Sequence, residues 1–322
     1  MTLELDMIAQ ESARTGAPRA QPTGVRAAWH VVTRPRNRDG YLMLLPALVT
    51  IAVFVIWPVI NSLYLSFHDW HLLRADHAFV GLDNYRTVVA DPDFWNALKN
   101  TATYSAGTVP TRMALALLLA LVFNGGMPFS KILRAIVYLP HVASMVVISF
   151  VWLFLLDRDL GVISNTLLPA LGMAPIAFMR DPNLALPSIM AMAVWKSLGY
   201  EVMVFLAGLQ GIHREYLEAA AIDGANRWQV FWHVTLPLLS PVVMFLAIIG
   251  VIFSFQVFES IYVMTEGGPL KRTEVLVYYV YFHGFEAYRL GYASALAYII
   301  FMIIISLTIL QFWMAGYFRK EA

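Results

Sequence analysis

With 322 residues, 59% of them hydrophobic and 13% charged, and a mean hydropathy of +0.65, the chain is far too apolar for a soluble domain and reads as an integral membrane protein. A net charge of +1, with no basic stripe interleaved with aromatics, gives no case for nucleic acid as a partner. The absence of cysteine removes disulfides, thiol nucleophiles and thiolate metal sites, and leaves the compartment open.

The first forty residues carry Glu4, Asp6, Glu11 and several arginines, with no apolar stretch near the start. No cleavable signal peptide is expected there, and 1–40 reads as a polar, disordered tail. A helix needs about 20 mostly apolar residues to cross the hydrocarbon layer. Six segments qualify: 42–67, 101–123, 132–156, 186–209, 237–258 and 292–316. The expected fold is an all-α membrane domain over 41–317 with six spans, followed by a short end at 318–322. Arg34, Arg36 and Arg38 just before the first span argue for a cytoplasmic N-terminus, and six crossings return Arg319 and Lys320 to the same side. On this orientation the inner segments carry twelve of the 22 Lys and Arg and the outer loops eight. The two long outer loops, 68–100 and 157–185, each have room for a short surface helix. His68, His71 and His77 in the first lack helical spacing and a completing carboxylate pattern, so they read as solvated loop residues.

Between the fourth and fifth spans, at about 210–236, lies a polar, small-residue segment. Glu215 to Ala221 are strong helix formers, and the Ala219–Ala221 run leaves one face bare enough for another protein to approach the backbone. Asp223-Gly224 is a turn signal, with Gly able to take the positive φ that ends a helix. From Ala225 a second helix crowds Trp228, Val230, Phe231, Trp232 and Val234 to one side, suiting the lipid interface. Pro237 fits the first turn of the next span. Read by itself the segment is compatible with an ordinary amphipathic connector.

The full pattern is more specific: Glu218-Ala219-Ala220, three residues, Gly224, nine residues, then Val234-Thr235-Leu236-Pro237. It resembles the cytoplasmic loop by which the permease subunit of a bacterial ABC importer docks on its ATPase. Gly81-Leu82-Asp83-Asn84-Tyr85 and Met264-Thr265-Glu266-Gly267-Gly268-Pro269 resemble phrases of the carbohydrate-uptake branch, the MalF-like and UgpA-like permeases. Tyr138-Leu139-Pro140, Val194-Trp195-Lys196 and Ala207-Gly208-Leu209 extend the likeness over about residues 40–316. The resemblance implies a six-helix type I importer permease in the bacterial inner membrane, both termini cytoplasmic, with Glu218, Ala219, Ala220, Asp223, Gly224, Leu236 and Pro237 coupling to the ATPase. The partners it implies are a homologous second permease, two copies of a cytoplasmic ATPase and an extracytoplasmic solute-binding protein. It implies no cofactor on this chain, with ATP and Mg held by the ATPase.

Catalytic signatures are absent from the sequence. None of the five lysines follows a glycine, so there is no P-loop, and neither a His-Glu-x-x-His helix nor a Gly-x-Ser-x-Gly elbow occurs. Charges in hydrocarbon are costly and normally face protein or water, which singles out Arg112 in the second span and Lys196 and Glu201 in the fourth. Five residues turn a helix by about 140°, so Lys196 and Glu201 do not share a face. Gln256, Glu259 and Tyr262 repeat at three-residue spacing and are expected to form one stripe at the outer end of the fifth span. With a sugar as solute, these three, Tyr200 and Trp152 are candidate contacts, and Arg112 suggests an anion. The same residues fit structural roles: Arg112 with Glu201 as an interhelical pair, Lys196 snorkelling, Trp152 and Tyr200 as packing aromatics. A rival reading, an ion-driven secondary transporter or channel, would use Arg112, Lys196 and Glu201 as relay groups. The solute is left open among mono-, di- and oligosaccharides and glycerol-phosphate compounds.

Overall fold

The computed structural model describes residues 35–126, 129–314 and 316. The tail expected to be disordered, the side chains of Arg36 and Arg38, and Arg319 with Lys320 lie outside the described residues. The chain divides into two units, Met1–Asn61 and Ser62–Ala322. The first contains helix Pro35–Ile51, with Pro46 inside it, and the wider π-wound turn Ala52–Ile56. From Leu42 onward they form part of the apolar stretch Leu42–Ser66, whose mean hydropathy of 2.5 suits a span.

In the second unit three further helices are long and apolar enough to cross a bilayer: Pro92–Asn124, Ala185–Gln210 and Leu290–Met314. The first is 33 residues long and begins nine residues before the expected boundary. Its start is fixed locally, because the Asp91 side chain accepts from the Asp93 N–H and Pro92 occupies the first turn. The expected third and fifth spans are broken. Ser130–Val142 and Met145–Leu155 meet at 99°, because Ala143 and Ser144 are both extended. Arg227–Leu238 and Ser240–Phe255 meet at 62°. Pro237 therefore sits in the last turn of the helix before the bend, and Pro241 takes the first turn of the span, the place expected for Pro237.

Lipid tails are as apolar as leucine, so helices in a bilayer associate through close packing more than through hydrophobic expulsion. Small residues mark the contacts accordingly. Ala116 and Ala120, four residues apart and fully buried, form one packed cluster with Val202, Phe205, Leu206 and Leu209, so the 92–124 and 185–210 helices run side by side in the same direction. A Cβ at Gly199 would lie 2.3 Å from the Val137 carbonyl, so the 185–210 and 130–142 helices pack there with no room for a side chain.

Both long loops hold short helices, Asp83–Ala90 in one and the Val162–Leu167 and Leu168–Ala170 turns in the other. The Gly81–Tyr85 phrase closes the first loop. Asn84 donates to the Ser66 and His68 carbonyls, each at 2.9 Å, and the Tyr85 hydroxyl lies 2.7 Å from that of Ser66. His68 and Phe79 face each other in a two-stranded antiparallel ribbon. His68 is consequently not solvated as expected: it is buried, with its ring against Tyr64 and Phe79. His77 stacks on Trp70 at 3.7 Å.

Candidate functional site

Two features stand out, one at each level of the bundle. The first is the hairpin after the 185–210 helix. Helix Arg214–Ile222 ends in a Schellman arrangement: Gly224 at φ +78° donates to the Ala221 carbonyl, and Ala225 donates to that of Ala220. The next helix starts at once, because Asn226 and Gln229 form a reciprocal capping box, Asn226 Oδ1 accepting from the Gln229 N–H at 2.9 Å and Gln229 Oε1 from the Asn226 N–H at 2.8 Å. The sequence reading missed this box, although Asn three residues before Gln is its signature.

Nothing lies within 4 Å of a Cβ placed on Gly224, so its requirement within this chain is conformational and not steric. Glu218, Ala219 and Asp223 are exposed, Ala220 is half-buried, and Ile222 is 87% exposed. The root of the hairpin is firm instead. Leu239 is fully buried, and a Cβ at Gly208 would come within 2.9 Å of both Leu239 and Val242. The chain just after Leu236-Pro237 is thus packed on the 185–210 helix two residues before that helix ends.

The second feature is a cavity of about 560 Å³ within the bundle. It is lined by Arg112, Lys196, Tyr200, Glu201, Gln256 and Glu259, all foreseen, and by Tyr104, His141 and Ser260, which were not. Glu201 is buried, and its Oε1 lies 2.7 Å from Arg112 Nε, an ion pair without hydrogen-bond alignment, which leaves Glu201 Oε2 unpartnered. Gly250 makes room for it, because a Cβ there would stand 2.6 Å from the Arg112 guanidinium. Lys196, on another face as the helical angle requires, donates to the His141 carbonyl at 3.3 Å. His141 stacks on Tyr200 at 5.2 Å, and it reaches the cavity because the 99° bend follows it directly. The available signal for His141 was Pro140 beside it, which weakens the helix just before the bend.

The expected stripe of Gln256, Glu259 and Tyr262 does not form. The span ends at Phe255, Gln256 caps it, and Phe258 at φ −143° precedes a new short helix, Glu259–Met264. Helical spacing carries no facing relation across that break. Gln256 and Glu259 still reach the cavity, whereas Tyr262 turns away, stacked on Phe258 and beside the Tyr281 ring. Trp152 is also outside: it packs half-buried against the core and lies beside Trp195.

The cavity therefore offers two cations, two carboxylates, an amide and a tyrosine–histidine stack, which together can hydrogen-bond and stack on a polyhydroxylated solute. Among the described residues there is no cluster of three or more His, Asp or Glu with metal-site geometry.

Residues 112–321 match the model of the family described as binding-protein-dependent transport system inner membrane component. The chain is 35% identical over 286 residues, 87% of its length and 96% of the relative's, to the sn-glycerol-3-phosphate transport system permease protein UgpA of Agrobacterium fabrum. It is 35% identical over 283 residues, 86% of its own length and 94% of the other, to the lactose transport system permease protein LacF of Rhizobium radiobacter. A solved bacterial alginate ABC transporter in complex with an alginate pentasaccharide-bound periplasmic protein contains a chain with the same fold, at a TM-score of 0.79 and 26% identity, covering 90% of this chain and 97% of that one.

Proposed function

The chain belongs to the family of binding-protein-dependent transport system inner membrane components, as a permease subunit of an ABC importer, and from that premise we propose how it works. It pairs with a second, homologous permease, and the solute crosses at their interface past the cavity of Arg112, Lys196, Tyr200, Glu201, Gln256 and Glu259. The solute is a carbohydrate or a glycerol-phosphate compound, the classes named for the relatives. The 214–238 hairpin sits in a cleft of a cytoplasmic ATPase, two copies of which hydrolyse ATP with Mg. This chain binds neither and catalyses nothing. Both termini are cytoplasmic, and an extracytoplasmic protein delivers the solute at the opposite end.

The observation that carries this reading is the hairpin itself, with Gly224 in the left-handed region, a bare alanine face, Ile222 uncovered and a rigid root at Gly208–Leu239. A protruding element with a firm base transmits ATPase closure as a rigid lever between two packed states. Reconstitution in liposomes tests it. ATP-dependent uptake only with the ATPase and binding protein present is expected, and gradient-driven uptake by the chain alone would overturn it. Within that assay, Gln256→Ala and Glu259→Ala should reduce uptake at unchanged assembly, each lost hydrogen bond costing about 1–3 kcal/mol.

A further inference from the structure

At the end of the bundle opposite the hairpin lies a second cavity, of about 350 Å³. Four carboxylates line it, from Asp91, Asp93, Glu266 and Glu274, against one lysine, Lys271. Two of the four are satisfied internally: Asp91 accepts from the hydroxyls of Tyr279 and Tyr292 at 2.5 and 2.9 Å, and Asp93 pairs with Lys271. Glu274 is not. It is only 7% exposed, and its Oε2 is buried without a hydrogen-bond partner. Its backbone is pinned, because Asn100 donates to the Glu274 and Lys271 carbonyls at 2.9 Å and Thr101 accepts from the Leu276 N–H. The backbone is thus fixed while Oε2 has no donor, an arrangement that costs free energy unless a donor arrives from outside.

The ligand chemistry follows from the walls. Among the described residues no three ligands have metal-site geometry, and the rings of Tyr278 and Phe282 flank the carboxylates. Carboxylates beside aromatic faces suit a guanidinium or ammonium group, which donates several hydrogen bonds and lies favourably over a ring. Burial, with Asp93 and Asp91 close by, pushes the Glu274 carboxyl up to about 7 although Lys271 pulls it down, so the carboxylates outweigh the one lysine. His283 at the rim is held down to about 4 by burial and by nearby Arg289, so it adds no positive charge at neutral pH.

We propose that this cavity receives an arginine or lysine side chain of the extracytoplasmic solute-binding protein when that protein docks on the permease. The inference rests on the orientation given under the proposed function, and on charge complementarity at the end that faces a periplasmic protein in that orientation.

The test uses the complete importer in nanodiscs with its own solute-loaded binding protein, measuring docking affinity against Glu274→Gln and, at the exposed rim, Glu266→Gln. Docking weakened about tenfold or more by Glu274→Gln is expected, with basal ATPase activity unchanged, as for loss of one partner of a desolvated charge pair. Agmatine, a free guanidinium probe, should weaken docking on the wild type more than sodium does at equal ionic strength, and the two should act alike on Glu274→Gln. Should Glu274→Gln assemble poorly, Glu266→Gln must still weaken docking and flatten its salt dependence. Docking within twofold of wild type in whichever of these variants assembles overturns the inference and leaves the importer reading intact. Labelling of a cysteine at Glu266 only from the cytoplasmic side overturns both.

Discussion

The Arg112–Glu201 pair is where charge in the bundle is most exposed to test. A buried pair broken by removing one member leaves an uncompensated charge, at a cost of about 3–5 kcal/mol. Glu201→Gln should therefore lower the assembly yield and melting temperature of the complex, and the exchange Arg112→Glu with Glu201→Arg should restore much of both. Uptake by the restored complex reads the role directly: full recovery identifies the pair as structural, and persistent loss identifies it as a solute contact. Glu274 permits a pH prediction outside the membrane. Its folded pKa, about 7, lies above the usual carboxylate value of 4.5, so its contribution to stability is fully present below about 4.5 and is lost as pH rises through about 7. In the absence of binding protein, the melting temperature should fall between about pH 4.5 and pH 7 in the wild type and fall less in Glu274→Gln, as differential scanning fluorimetry at matched ionic strength would show.

Elements differ in how much of themselves the sequence reveals, and the hairpin was the most legible. Its determinants are local: an alanine run, Asp223-Gly224, and capping residues within one turn. Gly224 at φ +78° with open space around a Cβ gives an ordered series. Gly224→Ala should cost about 1–2 kcal/mol in hairpin stability, the penalty for a left-handed residue with a Cβ, and reduce coupling partially. Gly224→Asp adds bulk and charge where a partner approaches and should abolish uptake while the chain still inserts. Normal transport by the Gly224→Asp variant would remove the coupling role. The broken spans were not legible, because a window of hydropathy sums 132–156 or 237–258 without seeing that Ala143 and Ser144 are extended or that the helix stops at Phe255. The three-residue repeat at Gln256, Glu259 and Tyr262 misled for the same reason, since a period describes a face only while the helix lasts.

At the scale of the whole molecule, hydropathy placed six crossings, and the structure supplies four long helices and two bent pairs for them. Length and apolarity are properties of composition, which explains why the number was readable while the shape of two spans was not. Which end faces the cytoplasm depends on charges flanking the spans, and it decides whether the hairpin can meet an ATPase at all. The chain contains no cysteine, so single cysteines report orientation without background. Asp76 in the first long loop and Ala174 in the second are exposed, and cysteines there should react with an impermeant maleimide added to intact cells. Ile222→Cys, at the most exposed large hydrophobic residue of the hairpin, should react only in inside-out vesicles, and there only when the permease is expressed without its ATPase. Adding the ATPase should protect it, because a helix seated in a cleft loses its solvent access. Reaction of Ile222→Cys in intact cells would reverse the orientation, and reaction undiminished in the assembled complex would place the ATPase contact elsewhere on the permease.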